Sequence, residues 1–331
     1  MDSEIPVRPE LGNVVVGVDG SPSARTAALW AAAEADRRGR ALHLVHAADT
    51  DRRAAFADAE TLQAVREAGR DLLSDTAQAI HQRLPDLPVT RELSRQEPVA
   101  GLRAAAGRRG TIVVGHRGLG GFGALMLGSV GLGVAARAEV PVIVVRGESE
   151  RPETGSVTAA VQDADDLGGL LLAAAEADAR KAALRLVGVW NVLDHVGSVA
   201  TMLDDLDGIA RQRVLESKEL ADRVREVYPE LIVGHRVETG TSVPGLLIEA
   251  SGRTDLIVMG RGRRPLGAGP TLGRVAHALI HHAHCPVEIL PPAFASADGD
   301  GGAAGRDGEG EARGGARARP RGRRPPRSRR R

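Results

Sequence analysis

Apolar positions along this chain gather into short continuous runs rather than alternating with polar ones. Residues 13–18, 41–47, 89–93, 111–115 and 140–146 are short, apolar and β-branched. That is the pattern of parallel strands buried on both faces. Between them lie Ala-rich stretches of helical character at residues 23–38, 58–82, 99–109 and 129–137. Strand–helix alternation predicts an α/β fold, a doubly wound parallel sheet with helices on both faces. Right-handed crossovers, with a reversal of strand order after the third strand, then leave a crevice at the carboxyl ends of the strands.

The pattern occurs twice. Residues 111–145 align without gaps on residues 256–290, so that Gly115 falls on Gly260, Gly128 on Gly273 and Pro141 on Pro286. Upstream, Pro98 matches Pro244, LHLVHA (42–47) matches LRLVGV (184–189), and VVVGVDGS (14–21) matches VTAAVQDA (157–164). Order and spacing preserved over so long a stretch imply a tandem duplication, with its junction at 146–156. We expect a first domain over 1–148 and a second over 156–292, each with a five-stranded parallel sheet, followed by an appendage over 293–331.

Length agrees with this reading, because 331 residues suit two average domains. Aromatics are only 2% of the chain, so the cores must be aliphatic. The formal charge of +1 hides a division. From residue 295 onward there are eleven Arg against five acids, which leaves a mildly acidic body carrying a basic tail. The tail, rich in Gly, Pro and Arg, has almost nothing to bury and is expected to be disordered. It would attract nucleic acid through counterion release, or is unselected low complexity; the acidic body is not expected to bind polyanions. One cysteine, Cys285, fits a reducing compartment. The N-terminus lacks the pattern of a secretory signal, and no apolar run of about 20 residues suggests a membrane span. A cytoplasmic location is expected.

The sharpest chemical signal is Gly115-His-Arg-Gly118, nine residues, then Gly128-Ser129, placed between a strand and a helix. Glycine at a strand end lets backbone come close to a ligand, and further glycines let successive N–H groups converge on an anion. Gly128-Ser129 opens a helix whose amino-terminal N–H groups and dipole favour phosphate. Ser129 is placed either to cap that helix or to donate to a phosphate oxygen. The plainer reading is a glycine-rich turn with Ser129 acting only as a cap. Gly131 and Gly133, early in the same helix, each cost roughly 1 kcal/mol relative to Ala and predict a loose helix.

A strand ending VGVDGSP, a strand reading LHLVHA, and the glycine spacing above together resemble the universal stress protein family. The first copy matches at every motif position and the second in layout only. The resemblance implies an adenine-nucleotide α-hydrolase-like domain and, for the branch carrying the glycine motif, ATP as ligand. Carried over, Asp19 and the backbone at Ala47 would line the adenosine end, and Gly17 would allow close approach. Gly115 and Gly118 would border ribose and phosphates, with Gly128 and Ser129 on the phosphate tail. Arg117 is an added phosphate donor or a solvated loop residue, and Asp19 a nucleoside contact or a turn residue. In the second copy Asp19 becomes Gln162, Gly118 becomes Arg263 and Ser129 becomes Arg274. Gly260, Gly262 and Gly273 survive as second-domain candidates, and Arg261, Arg263 and Arg264 make that loop basic. We expect a degenerate, mainly structural second half.

Other chemistry is sparse. His277, His281, His282, His284 and Cys285 cluster, yet no CxxC or HExxH spacing accompanies them, and no metal is expected. No GxSxG elbow, Walker lysine motif or kinase-like set occurs, so no catalytic residue is assigned. The expectation is an ATP-binding regulatory protein of the stress response. Its two domains would pack as an intramolecular pseudo-dimer, with a further homodimer and an unidentified regulatory partner left open. A weak ATPase at the same site and a dimerisation module with an empty pocket are the alternatives.

Overall fold

The computed structural model describes residues 7–118, 128–146, 152–191, 203–261 and 272–292. The N-terminal half runs β1 (Val14–Gly17), α1 (Pro22–Arg37), β2 (Leu42–Ala47), α2 (Thr50–Arg53), α3 (Ala59–His81), β3 (Val89–Ser94), α4 (Pro98–Ala106), β4 (Thr111–Gly115), α5 (Ser129–Arg137) and β5 (Val142–Val145). The C-terminal half runs β6 (Ser156–Val161), a 3₁₀ turn (Ala164–Asp166), α6 (Leu167–Ala179), β7 (Ala183–Asn191), α7 (Leu203–Val227), β8 (Val233–Gly240), α8 (Val243–Ser251), β9 (Leu256–Gly260), α9 (Arg274–His282) and β10 (Val287–Leu290). The long second helix expected over 58–82 is α3, preceded by the short α2.

All strands join one sheet in the order β3-β2-β1-β4-β5-β10-β9-β6-β7-β8. Each half is parallel throughout, and its order reverses between its first and fourth strands. The halves meet edge to edge. β5 and β10 pair antiparallel, with Val142 opposite Ile289, Ile143 opposite Glu288 and Val144 opposite Val287. The residues flanking the Ile143–Glu288 pair are repeat counterparts of one another, so a local twofold passes through that pair. Two short edge strands thus cover each other's open hydrogen-bonding rows.

Each face of the sheet carries one apolar cluster that runs through both halves. On the first face α1 lays Ala27, Ala28, Ala31 and Ala35, all fully buried, against Val14, Val16, Leu42 and Leu44. Small side chains let this helix come close to the sheet. α6 is apolar nearly all round, with Leu170, Leu171, Leu172, Ala173 and Ala174 buried, as expected of a helix covered on every side.

At the twofold, α1 and α6 each contribute a Glu and an Arg. Glu34 accepts from Arg38 Nε at 2.7 Å and from Arg180 Nη2 at 2.5 Å. Glu176 accepts from Arg38 Nη2 at 2.5 Å and also pairs with Arg180. Burial opposes the charge on Glu34, but Arg180, Arg38 and Arg37 outweigh it and hold its carboxyl at about 2. Glu288 lies beside this ring, fully buried, and neither carboxyl oxygen makes a hydrogen bond among the described residues. Burial, and then the charge of Glu176, push its pKa well above the usual carboxylate range against the pull of Arg38 and Arg180. Burial likewise raises the pKa of Glu176, against the pull of Arg38 and Arg180.

Candidate functional site

The carboxyl ends of β1 and β4 lie side by side at the point where strand order reverses, the usual position of a ligand crevice in such sheets. Local chemistry shapes the turn that leads from β1 into α1. The backbone N–H of Ser21 donates to Asp19 Oδ1 at 2.9 Å, an Asx turn. Gly20 sits at φ +87°, where a side chain would be strained. Ser21 caps α1 by accepting from the Ala24 N–H at 3.1 Å, and Pro22 occupies the first helical position, where its missing N–H is not needed. The turn role considered for Asp19 is therefore real.

β4 ends on this capped helix. A Cβ at Gly115 would lie 2.6 Å from Ser23 Oγ and 2.7 Å from the Ser23 carbonyl, so only glycine fits. Ser23 then organises the next residues. It lies 3.1 Å from His116 Nδ1 and accepts from the Arg117 N–H at 3.2 Å, while Ser21 Oγ donates to the Arg117 carbonyl at 3.3 Å. The next glycine touches the first turn, since a Cβ at Gly118 would stand 2.6 Å from Asp19 Oδ2. Across the segment 119–127, which lies outside the described residues, the Gly128 N–H donates to the His116 carbonyl at 3.1 Å. A Cβ at Gly128 would lie 3.4 Å from the Gly118 nitrogen. The fold therefore brings Asp19, Gly115, Gly118 and Gly128 together.

Other expected positions turn out differently. Gly128, not Ser129, is the N-cap of α5; Ser129 is the first helical residue, exposed, and no side chain caps this helix. The capping role considered for Ser129 is thus corrected, because the helix already includes Ser129, one residue past the cap position. Gly17 yields space to protein, as a Cβ there would meet Leu102 at 3.0 Å. Ala47 ends β2 and packs near Gly101 of α4, on the rim beside β1. Gly133 also has a packing reason. A Cβ at Gly133 would lie 2.8 Å from Val99 of α4, so this glycine lets two helices come close rather than simply loosening one.

Sequence reasoning missed Ser23, His116 and Arg146 as site residues. The Ser-Pro-Ser run at the head of α1 was the available signal for Ser23. Burial, then Arg146 and Arg117, lower the His116 pKa, while its ring donates to the Val145 carbonyl. His116 is therefore neutral near pH 7. Burial and then Arg117 likewise lower the Arg146 pKa. Arg117 follows β4 and Arg146 follows β5, and the Arg146 guanidinium is held by the Ile280 and Ala283 carbonyls.

The second half repeats part of the frame of this site. The Gly273 N–H donates to the Arg261 carbonyl at 3.1 Å, repeating the Gly128–His116 bond. Gly260, however, is exposed, and a Cβ there would meet nothing within 4 Å. After β6, Asp166 Oδ2 accepts from the backbone N–H groups of Gln162 at 2.6 Å and Asp163 at 3.3 Å. Carboxylate thus occupies N–H groups at the turn corresponding to Asp19-Gly20-Ser21. Gly262, Arg263, Arg264 and the tail from 293 onward lie outside the described residues. The rings of His277 and His281 lie with centroids 4.4 Å apart and planes tilted by 35°. Among the described residues no group of three or more His, Cys, Asp or Glu is placed to hold a metal, and no helix is long and apolar enough to cross a membrane.

Comparison with known proteins gives a consistent result. The profile of the Universal stress protein family matches residues 10–146 and again 157–291. A universal stress protein of Mycobacterium tuberculosis is 29% identical over 296 residues, covering 85% of this chain and 97% of that protein. One from Mycolicibacterium smegmatis is 37% identical over 152 residues, 44% of this chain and 47% of that protein. Among solved structures, a universal stress protein from Archaeoglobus fulgidus superposes with a TM-score of 0.63 at 17% identity, covering 85% of this chain and 99% of that one. At that identity the likeness concerns the fold alone.

Proposed function

The chain belongs to the universal stress protein family, and on that basis we propose that its N-terminal half binds an adenine nucleotide, ATP, at the carboxyl ends of β1 and β4. The observation that carries this reading is the packing of Gly118 against Asp19 and of Gly128 against Gly118 and the Arg117 backbone. A glycine-lined turn, the amino end of α5 and the neighbouring Arg117 together suit a phosphate chain. Asp19 and the rim at Ala47 serve the adenosine end. Gly17 and Gly115 hold the frame against Leu102 and Ser23, and Ser129 exposes its hydroxyl at the phosphate end.

The functional units are taken as residues 1–148 and 156–292, with the second mainly structural because Gln162, Arg263 and Arg274 stand where the first has Asp19, Gly118 and Ser129. The protein acts in this reading by binding rather than turnover, its liganded form presenting a different surface to a regulatory partner.

The test uses the purified full chain. Denaturation followed by mass analysis identifies any co-purified nucleotide, and calorimetric titration measures ATP, AMP and GTP. Adenine nucleotides should bind and GTP should not, with Gly128→Ala/Ser129→Ala weakening ATP about tenfold, as loss of one or two phosphate contacts implies. A wild-type chain that releases no nucleotide and shows no ATP heat would overturn the reading. Timed phosphate release under saturating ATP distinguishes a binder from a slow hydrolase.

A further inference from the structure

The last helix of each half ends under an arginine from the other half. Arg146, just past β5, donates from Nη1 to the Ile280 carbonyl at 2.8 Å and from Nε to the Ala283 carbonyl at 3.2 Å, at the end of α9. In return Arg261, just past β9, donates from Nη1 to the carbonyls of Ala136 at 2.7 Å and Ala138 at 3.0 Å, at the end of α5. Ala138 and Ala283 are repeat counterparts, so the two targets are equivalent. The two arginines are not. The counterpart of Arg146 is Pro291, which has no donor, and the counterpart of Arg261 is His116. Arginines at unrelated positions thus reach the same place on both helices.

The target matters because the last carbonyls of a helix lack intrahelical partners and carry its negative pole. A guanidinium there satisfies two of them and favours the helix dipole. Arg261 does this while only 8% exposed, where charge-assisted bonds are strong. Its helix is short. α5 has nine residues, roughly 13 Å of helix at 1.5 Å per residue, so its two ends move together. The amino end is Gly128-Ser129.

We propose that Arg261 is a positioning residue for the phosphate site of the N-terminal half: it fixes the carboxyl end of α5, and thereby the aim of the amino end, across the seam between the halves. This rests on the nucleotide reading above. The second half would then complete the first half's site without binding ligand itself, which gives the degenerate copy a function beyond stability.

The test compares ATP with adenosine on the full chain by calorimetric titration, with melting curves to check folding. Arg261→Met keeps the buried aliphatic stem and removes the donors. It should weaken ATP about tenfold, the scale of a partly buried helix-end charge, and leave adenosine within about twofold, because adenosine does not meet the phosphate end. Arg261→Lys should fall between, at about threefold for ATP, since it keeps the charge but not the fork. It carries the test alone if Arg261→Met does not fold. Unchanged ATP affinity in a folded variant overturns the proposal. Equal loss for both ligands also overturns it, because it indicates general destabilisation. A wild-type chain that binds neither ligand overturns the nucleotide reading, a distinct result.

Discussion

Replacing Glu288 by Gln should make the protein more stable at neutral pH, although it alters a fully buried group beside four ion-pairing residues. Glu288 lies on β10 opposite Ile143 and faces Glu34 and Arg38 of the α1 segment and Glu176 and Arg180 of the α6 segment. Its two oxygens make no hydrogen bond among the described residues. Its folded pKa stands well above the ordinary 4.5, so folding must retain a proton that the unfolded chain releases. The contribution is complete below 4.5 and is lost as pH rises toward the folded value. While the carboxyl stays protonated the loss is about 1.4 kcal/mol per pH unit. Gln resembles the protonated acid and does not titrate. Urea unfolding of both proteins, followed by far-UV ellipticity at steps from about pH 4 to pH 8, isolates this group as a difference between two curves. The curves should coincide near pH 4 and diverge above it, with the variant the more stable. A pH-independent difference, or a wild type more stable than the variant at pH 8, would mean that Glu288 is ionised and paired, and would refute the argument.

The opposite sign is expected at Glu34, whose pKa of about 2 lies below its ordinary 4.5. Its contribution is present above 4.5 and fades as pH falls toward 2, so Glu34→Gln should cost about 3 kcal/mol near neutrality and progressively less in acid. Denaturant unfolding at both pH values checks this, and an equal cost at each would count against it. Two glycines at equivalent positions should respond differently. Gly115→Ala places a Cβ 2.6 Å from Ser23 Oγ, whereas Gly260→Ala meets open space. The first should destabilise by about 2 kcal/mol and weaken nucleotide binding, and the second should stay within about 0.5 kcal/mol. Melting temperatures of the two variants decide the matter.

Apart from the short α2, the elements of the first half, their order and the duplication were legible in the amino-acid sequence, because these depend on local spacing. Short apolar runs and Ala-rich helices specify burial wherever they fall, and the repeat supplies a second reading of each element. The DGSP turn was legible for the same reason: its Asx turn, Gly20 and Ser21 cap all act within a few residues. Spacing leaves Ser129 open as a cap because one residue of helix phase is finer than it resolves. That Gly17 and Gly115 give way to Leu102 and Ser23 depends on contacts between distant segments, and it emerges from the packed fold alone.

The seam was the least legible part. AEADRR (33–38) and AEADAR (175–180) stand 142 residues apart and repeat the Glu and Arg of the buried ring. That overlay was the available signal, yet it does not indicate that the two copies meet. A Glu and an Arg four apart on a helix read equally well as a solvated pair. They become a buried ring of four charges only because the pairing of β5 with β10 places a twofold between α1 and α6. The same pairing brings Arg261 to α5 and leaves Glu288 in an apolar strand beside charge. Hydrophobic pattern fixes which side of an element is covered; which residues cover it depends on strand order and edge pairing, and those are set by the whole chain at once.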